Sequence, residues 1–261
     1  MQEKPKRRRV LIGAAAVVLG YLGLRGWRAF VSPAIKFEAL EHPRGFRMIA
    51  GGQVSTGTFG PLIGLGAAGT PEPLRAQAES LVHRDFCAAL FGSTDPPPSI
   101  VQIASFSDYY CPYCRVLTPL IARLSKEPGT HLSVAWHEYP ILGDASRVAA
   151  RAALAARRQG AYLEFQERMF RASFQPTSAY LSDLCRTIGI DFVQLQVDMA
   201  SEEVSLDLAE SAALARSLGF FGTPDLVVGK TVVQGAVEER VLRRLIGIER
   251  QEGLGDLCTI A

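Results

Sequence analysis

Residues 100–126 read IVQIASFSDYYCPYCRVLTPLIARLSK. The apolar run Ile100–Phe106 predicts a strand, and the stretch from Pro112 to about Lys126 predicts a helix. Cys111 therefore stands where a strand ends and a helix opens. Pro112 suits the first helical position, because the N–H it lacks would have no partner there. Free backbone N–H groups and the positive end of the helix then face the Cys111 sulfur and favour its thiolate. Such surroundings predict a pKa in the range of roughly 3.5–7.5 found for activated cysteines. Cys114 lies one turn further on, within bridging reach and deeper. The pair reads as a redox couple in which Cys111 is the exposed, attacked sulfur and Cys114 the resolving one. A zinc half-site is the rival chemistry. Zinc needs four ligands, no second C-x-x-C exists, and His42, His83, His131 and His137 lack a spacing that would complete a site. No metal and no cofactor is expected.

Outward from that stretch, His131–Glu138 predicts a second strand. Ser146 to Leu218 reads as almost wholly helical, with breaks near Gly160, Gln175-Pro176, Gly189 and Ser201, and with Asp191 and Ser201 as N-caps. Asp225–Val228 and Thr231–Gln234 predict a hairpin turning at Gly229-Lys230, glycine first, and Val237–Arg250 a closing helix. The order is β-α-β, a helical block, then β-β-α. The fold class is α/β: one mixed sheet, with a parallel pair from the first crossover, an antiparallel hairpin and an inserted all-helical subdomain at about 144–218. Before this unit, Asp95-Pro96-Pro97-Pro98 marks a boundary. Leu74–Phe91 carries one helical stripe, and the Gly- and Pro-rich residues 32–73 read as a loose lead-in with short strands.

The 261 residues are 48% apolar and 21% charged, a globular composition that excludes a disordered tail, a collagen-like repeat and a small disulfide scaffold. The net charge of +2 misleads. Residues 1–9 carry five cations against Glu3, Arg25 and Arg28 add two more, and the remainder is acidic, so no nucleic-acid-binding face is expected. Val10–Leu24 is a run without charge, short for a full span, but Tyr21, Trp27 and the snorkelling Arg25 and Arg28 extend it to about Val31. We read residues 1–9 as a cytoplasmic tip, 10–31 as a single-pass signal-anchor in the inner membrane, 32–98 as an N-terminal extension with one helix, and 99–261 as the exported unit. A cleaved signal peptide, leaving a soluble exported protein, is the alternative.

An exported chain meets an oxidising compartment. Of the three remaining cysteines, Cys185 shares a helical face with Leu181, Leu184 and Ile188 and reads as a buried apolar thiol. Cys87 and Cys258 are the better candidates for a structural disulfide.

Cys111-Pro112-Tyr113-Cys114, with Pro119 five residues beyond, resembles the active-site helix of thioredoxin-fold proteins, which a proline kinks at that place. Thr223-Pro224 before a short strand resembles their cis-proline, and Gln234-Gly235-Ala236 their terminal turn. The helical insertion and the stretches ASFSDYYCPYCR (104–115), WHEYPILGDASRVAARAALAARRQGAYLEF (136–165) and LGFFGTPDLVVGKTVVQGAV (218–237) narrow the resemblance to DsbA-like periplasmic thiol-disulfide oxidoreductases, over about residues 99–250. The resemblance implies Cys111 and Cys114 as catalytic. It implies Pro112, Tyr113, Thr223 and Pro224 as substrate-orienting, with the Thr223 backbone open beside Cys111 to pair with an extended substrate. Two departures stand out. Many relatives have an acid six residues before the first cysteine, where this chain has Ser105; Asp108 and Glu138 are the possible proton relay in its place. Strong oxidants of the family carry histidine where Tyr113 stands. Tyr109, Tyr110 and Tyr113, with Phe220 and Phe221, are candidates for an apolar docking rim.

The function implied is formation or exchange of disulfides in exported proteins with cysteine thiols, with re-oxidation by a quinone-linked membrane partner. A reductase or isomerase kept reduced by a membrane thiol donor is the first alternative. An anchored binding or chaperone module with an idle bridge is the second.

Overall fold

The computed structural model describes residues 35–57, 71–93, 97, 99–172 and 175–253. The expected anchor at 10–31 and Cys258 lie outside these residues. The chain divides into two compact units, residues 1–36 and 37–261. Every element of secondary structure among the described residues belongs to the second, and none of its helices is long and apolar enough to cross a membrane.

Six strands form one mixed sheet: β1 (Glu38–Ala39), β2 (Arg47–Ile49), β3 (Val101–Ser107), β4 (Leu132–Glu138), β5 (Asp225–Val228) and β6 (Thr231–Gln234), in the order β1-β2-β6-β5-β3-β4. β3 runs parallel to β4 and antiparallel to β5, and β5 and β6 form the antiparallel hairpin. The hairpin turns at Gly229, whose φ of 55° suits glycine; a Cβ there would also stand 2.3 Å from a Glu249 carboxylate oxygen. All of β3 is buried, as a strand covered on both faces must be. It begins and ends one residue later than the sequence predicts.

The lead-in is less loose than expected. β2 pairs parallel with β6, β1 pairs antiparallel with β2, and Arg47 reaches Glu249 at 2.6 Å. The single helix expected at 74–91 is two, α1 (Glu72–Arg84) and α2 (Phe86–Phe91). Asp85 makes the break: its carboxylate accepts the Ala88 N–H at 2.9 Å and caps α2. The apolar stripe continues through the break with Val82, Cys87 and Leu90 buried, so periodicity alone did not reveal it.

After β3 come α3 (Cys114–Lys126), β4, and then five helices: α4 (Asp144–Arg158), α5 (Tyr162–Arg171), α6 (Ser178–Ile188), α7 (Phe192–Met199) and α8 (Glu202–Ser217). The breaks fall where the sequence placed them. Thr177, Asp191 and Ser201 cap α6, α7 and α8 with side-chain hydrogen bonds, and Gly189 closes α6 in the left-handed conformation. α4 buries Ala149, Ala150, Ala152, Ala153, Ala155 and Ala156. These small side chains favour the helix and let α5 and α7 approach closely. α9 (Glu239–Glu252) is the last helix among the described residues.

Two apolar clusters flank the sheet. One holds Phe46, Val82, Leu90, Phe106, Leu214 and Phe220; His137 joins it, stacked on Phe106 at 4.4 Å and driven by burial to a pKa of about 4. The other joins Cys111 and Cys114 to the helical insertion through Tyr109, Ala149, Phe165 and Met169. At the outer strand β4, Arg157 donates to the Trp136 carbonyl at 2.7 Å.

Candidate active site

The approach to the redox pair is fixed by one carboxylate. Asp108, at the end of β3, accepts from the Tyr110, Ile141 and Leu142 N–H groups at 2.8, 2.9 and 3.0 Å and from the Ser146 hydroxyl at 2.8 Å. These bonds pin the loop after β4 and the start of α4 against the chain leading into Cys111. Burial still outweighs the four donors and raises the Asp108 pKa. Glu138, at the end of β4, is also buried. Its Oε1 accepts from the Tyr109 and Tyr162 hydroxyls at 2.9 and 2.7 Å, and burial raises its pKa to about 7. Ser105, six residues before Cys111, is buried.

The regular helix begins at Cys114, two residues later than the Pro112 start expected. The Cys114 N–H is spent on the Cys111 sulfur at 3.3 Å instead of a backbone carbonyl, which delays the regular ladder. Tyr113 already has helical angles, and the Arg115 N–H bonds the Cys111 carbonyl at 3.2 Å. The first turn is therefore wrapped around a sulfur. Pro119 lies inside α3, as expected, and Arg115 ties that helix to the Ala172 carbonyl of the insertion at 2.8 Å.

The two thiols have opposite environments. The Cys111 pKa falls from about 9 to about 6, chiefly because the Cys114 thiol donates to it; burial opposes this, and Ser55, Thr223 and the Cys114 N–H assist. The Cys114 pKa rises well above its ordinary value through burial first, then through its bond to Cys111 and the charge there. At neutral pH Cys111 is an anion and Cys114 its proton donor, the division of labour that thiol-disulfide exchange requires.

Thr223–Pro224 is a cis peptide, and the Thr223 carbonyl lies 3.2 Å from the Cys111 sulfur. Two expectations fail here. Cys111 is not exposed: its accessibility is 0%, as is that of Thr223. Nor is the Thr223 backbone open, because it exchanges both hydrogen bonds with Ser55, at 2.7 and 2.9 Å. The expected rim also divides. Tyr109 and Phe220 belong to the core, Tyr110 and Tyr113 are half-buried, and Phe221 is 58% exposed.

Cys185 is buried and free, and Cys87 is bonded in a disulfide. Among the described residues no group of three or more histidine, cysteine or acidic side chains could hold a metal. Two residues at the site, Ser55 and Asp225, are not legible in the sequence as site residues. Asp225 follows the cis-proline, is held by the Gly235 N–H at 2.8 Å, and has its second oxygen buried without a partner. Burial raises its pKa to about 8, and charge on Cys111 adds to this. The only signal in the sequence is an acid set in the otherwise apolar run Pro224–Val228.

A cysteine thiolate at the start of a helix, a protonated partner one turn deeper and a cis-proline on a thioredoxin-like sheet define a thiol-disulfide exchange site. The sequence profile described as "DSBA-like thioredoxin domain" matches residues 102–247, and the chain belongs to that family of thiol-disulfide oxidoreductases. A thioredoxin-like oxidoreductase from Silicibacter pomeroyi DSS-3 is 37% identical, over 63% of this chain and 97% of that one, with a TM-score of 0.57. A periplasmic thioredoxin-like protein from Salmonella enterica serovar Typhimurium is 25% identical, over 66% and 97%, with a TM-score of 0.55. The thiol-disulfide exchange protein alpha-DsbA2 from Wolbachia pipientis, 24% identical over 68% and 98% with a TM-score of 0.56, shares the fold. Among curated proteins, the Na(+)/H(+) antiporter NhaA 1 of Salinispora arenicola is 25% identical over 135 residues, which are 51% of this chain; the chain spans only about a fifth of that protein (21%).

Proposed function

We propose that this protein is a membrane-tethered periplasmic disulfide oxidase of exported proteins. The observation that carries the reading is the Cys111 sulfur, which accepts the Cys114 N–H at 3.3 Å at the start of α3, beside the cis peptide Thr223–Pro224. A substrate thiolate attacks Cys111 of the oxidised pair, Cys114 leaves as a thiolate and takes a proton, and a mixed disulfide forms. A second substrate thiolate then attacks the substrate sulfur, closing the new disulfide and expelling Cys111, a good leaving group because of its low pKa. Two electrons remain on the enzyme, to be taken by a quinone-linked oxidant in the membrane. Stabilising the Cys111 thiolate stabilises the reduced enzyme and so makes the disulfide more oxidising.

Pro112, Tyr113, Thr223 and Pro224 border the sulfur and orient the substrate. Asp108 and Glu138 are the proton relay for Cys114; Asp108, with its oxygens shared among four donors, also positions the loop. The basic tip 1–9 and the apolar segment 10–31 are the anchor, 32–98 the extension and 99–261 the catalytic unit. The periplasmic relative from Salmonella supports that compartment. Cys258, the one cysteine left for Cys87, closes the structural disulfide.

The test is the equilibrium potential of the Cys111/Cys114 couple against glutathione, with Cys87, Cys185 and Cys258 replaced. A value near about −120 mV supports the oxidase, and one near about −270 mV reverses the direction to a reductase.

A further inference from the structure

The substrate side of the redox pair is occupied by the protein's own chain. Beyond β2, residues 51–57 run from the turn at Gln234–Ala236, past Thr223, to the loop at Ile141. The Ala236 N–H bonds the Gln53 carbonyl at 3.0 Å, and Ser55 and Thr223 exchange bonds in both directions. The fit is close: a Cβ on Gly52 would stand 2.1 Å from the Ala236 oxygen, one on Gly222 2.8 Å from Val54 Cβ, and one on Gly57 2.6 Å from the Ile141 oxygen. Beneath this strap Cys111 has no accessible surface. The Ser55 side chain is itself one of the groups that hydrogen-bond the Cys111 thiolate and lower its pKa.

A serine is a cysteine with oxygen in place of sulfur. Resting on the oxidoreductase reading, we propose that Gln53–Gly57 is an internal substrate mimic, in which Ser55 pairs with Thr223 as a substrate backbone would and sets an unreactive hydroxyl where a substrate sulfur would bond Cys111. A client enters by strand exchange, trading the two Ser55 hydrogen bonds for two of its own, so that the loss on one side is matched on the other. The preferred client is an extended segment with cysteine between small or β-branched uncharged residues, the shape of Val54-Ser55-Thr56. Clients without an extended segment to offer are refused, and the thiolate is shielded between turnovers.

Register gives a direct test. In a Cys114→Ser background, Val54→Cys, Ser55→Cys and Thr56→Cys are each treated with diamide, which removes two electrons and two protons from a thiol pair. Because strand side chains alternate in direction, position 55 is expected to link to Cys111 at least about tenfold faster than 54 or 56. Equal linking from all three, or none from 55, overturns the proposal. A second measurement uses no strap variant. In the reduced wild type the Ser55 and Thr223 amides exchange slowly with deuterium. In a mixed disulfide between a cysteine peptide and Cys111 of Cys114→Ser, Ser55 loses its protection and Thr223 keeps it. Protection of Ser55 in both states overturns the mimic. Ser55→Pro, which removes the N–H offered to Thr223, separates the two readings. It is expected to speed Cys111 alkylation by at least about tenfold, as loss of a strap hydrogen bond would, and to lower KM for a reduced peptide. Wild type as reactive as the variant sinks the strap alone. A variant that alkylates readily yet oxidises no thiol sinks the oxidoreductase.

Discussion

Cys111 and Cys185 are equally hidden from solvent, both at 0% accessibility, and their thiols behave oppositely. Burial raises the pKa of Cys185, which sits on α6 beside Leu181 and Leu184. The same cost opposes ionisation of Cys111, but the Cys114 thiol, Ser55, Thr223 and a backbone N–H turn toward its sulfur, and the pKa falls to about 6. Removal from water sets the baseline; directed donors decide the sign. Reactivity is thus assigned by neighbours contributed from three separate segments of chain, at Cys114, Ser55 and Thr223.

The largest way to break this contrast is Cys111→Ser, which should abolish oxidation of a reduced test protein, while Cys185→Ala leaves the rate unchanged. Next is Cys114→Ala, which removes the foremost donor: the Cys111 pKa, read from thiolate ultraviolet absorbance, should rise from about 6, and mixed disulfides with substrate should persist. The depressed pKa also ties stability to pH. Between about 6 and 9 the folded reduced protein binds fewer protons at Cys111 than the unfolded chain does. Its stability relative to Cys111→Ser should therefore grow as pH rises through that window, by up to about 1.4 kcal/mol per unit, and the gain should vanish below 6. Denaturant titrations at fixed reductant measure it, and a flat difference would contradict the assignment. Glu138 has the opposite sign. Burial raises its pKa from 4.5 to about 7, so wild type should lose stability relative to Glu138→Gln as pH rises from 4.5 to 7. The smallest effect is on Cys185 itself: Cys185→Ala should cost about 1 kcal/mol in a chemical denaturation curve, as a modest core truncation does.

How much of this was legible in the sequence follows from distance along the chain. Cys111, Cys114, the strand before them and the caps at Asp191 and Ser201 declare themselves within a few residues, because turns and helix ends are satisfied locally. The Gln175-Pro176 break is equally legible, but its Thr177 cap is not. The division of α1 from α2 was missed because Asp85 interrupts the backbone without interrupting the apolar stripe. The Ser55–Thr223 bridge was missed for a deeper reason: two polar residues far apart carry no mark of pairing, and the Gly51-Gly52 step before Val54 reads equally as a loop. Tyr109 and Phe220 were placed on a rim because aromatic identity does not say which face is covered. Their hydroxyl and ring partners, Glu138 and Phe106, lie on β4 and β3.

The margins of the sheet carry a last consequence. β1 is two residues long, and the carbonyl of Trp136 on β4 is taken by Arg157. Any unpaired backbone can add itself to an open sheet border and propagate into an aggregate. With one border cut short and a guanidinium plugging the other, a visiting chain has less ladder to extend at either side.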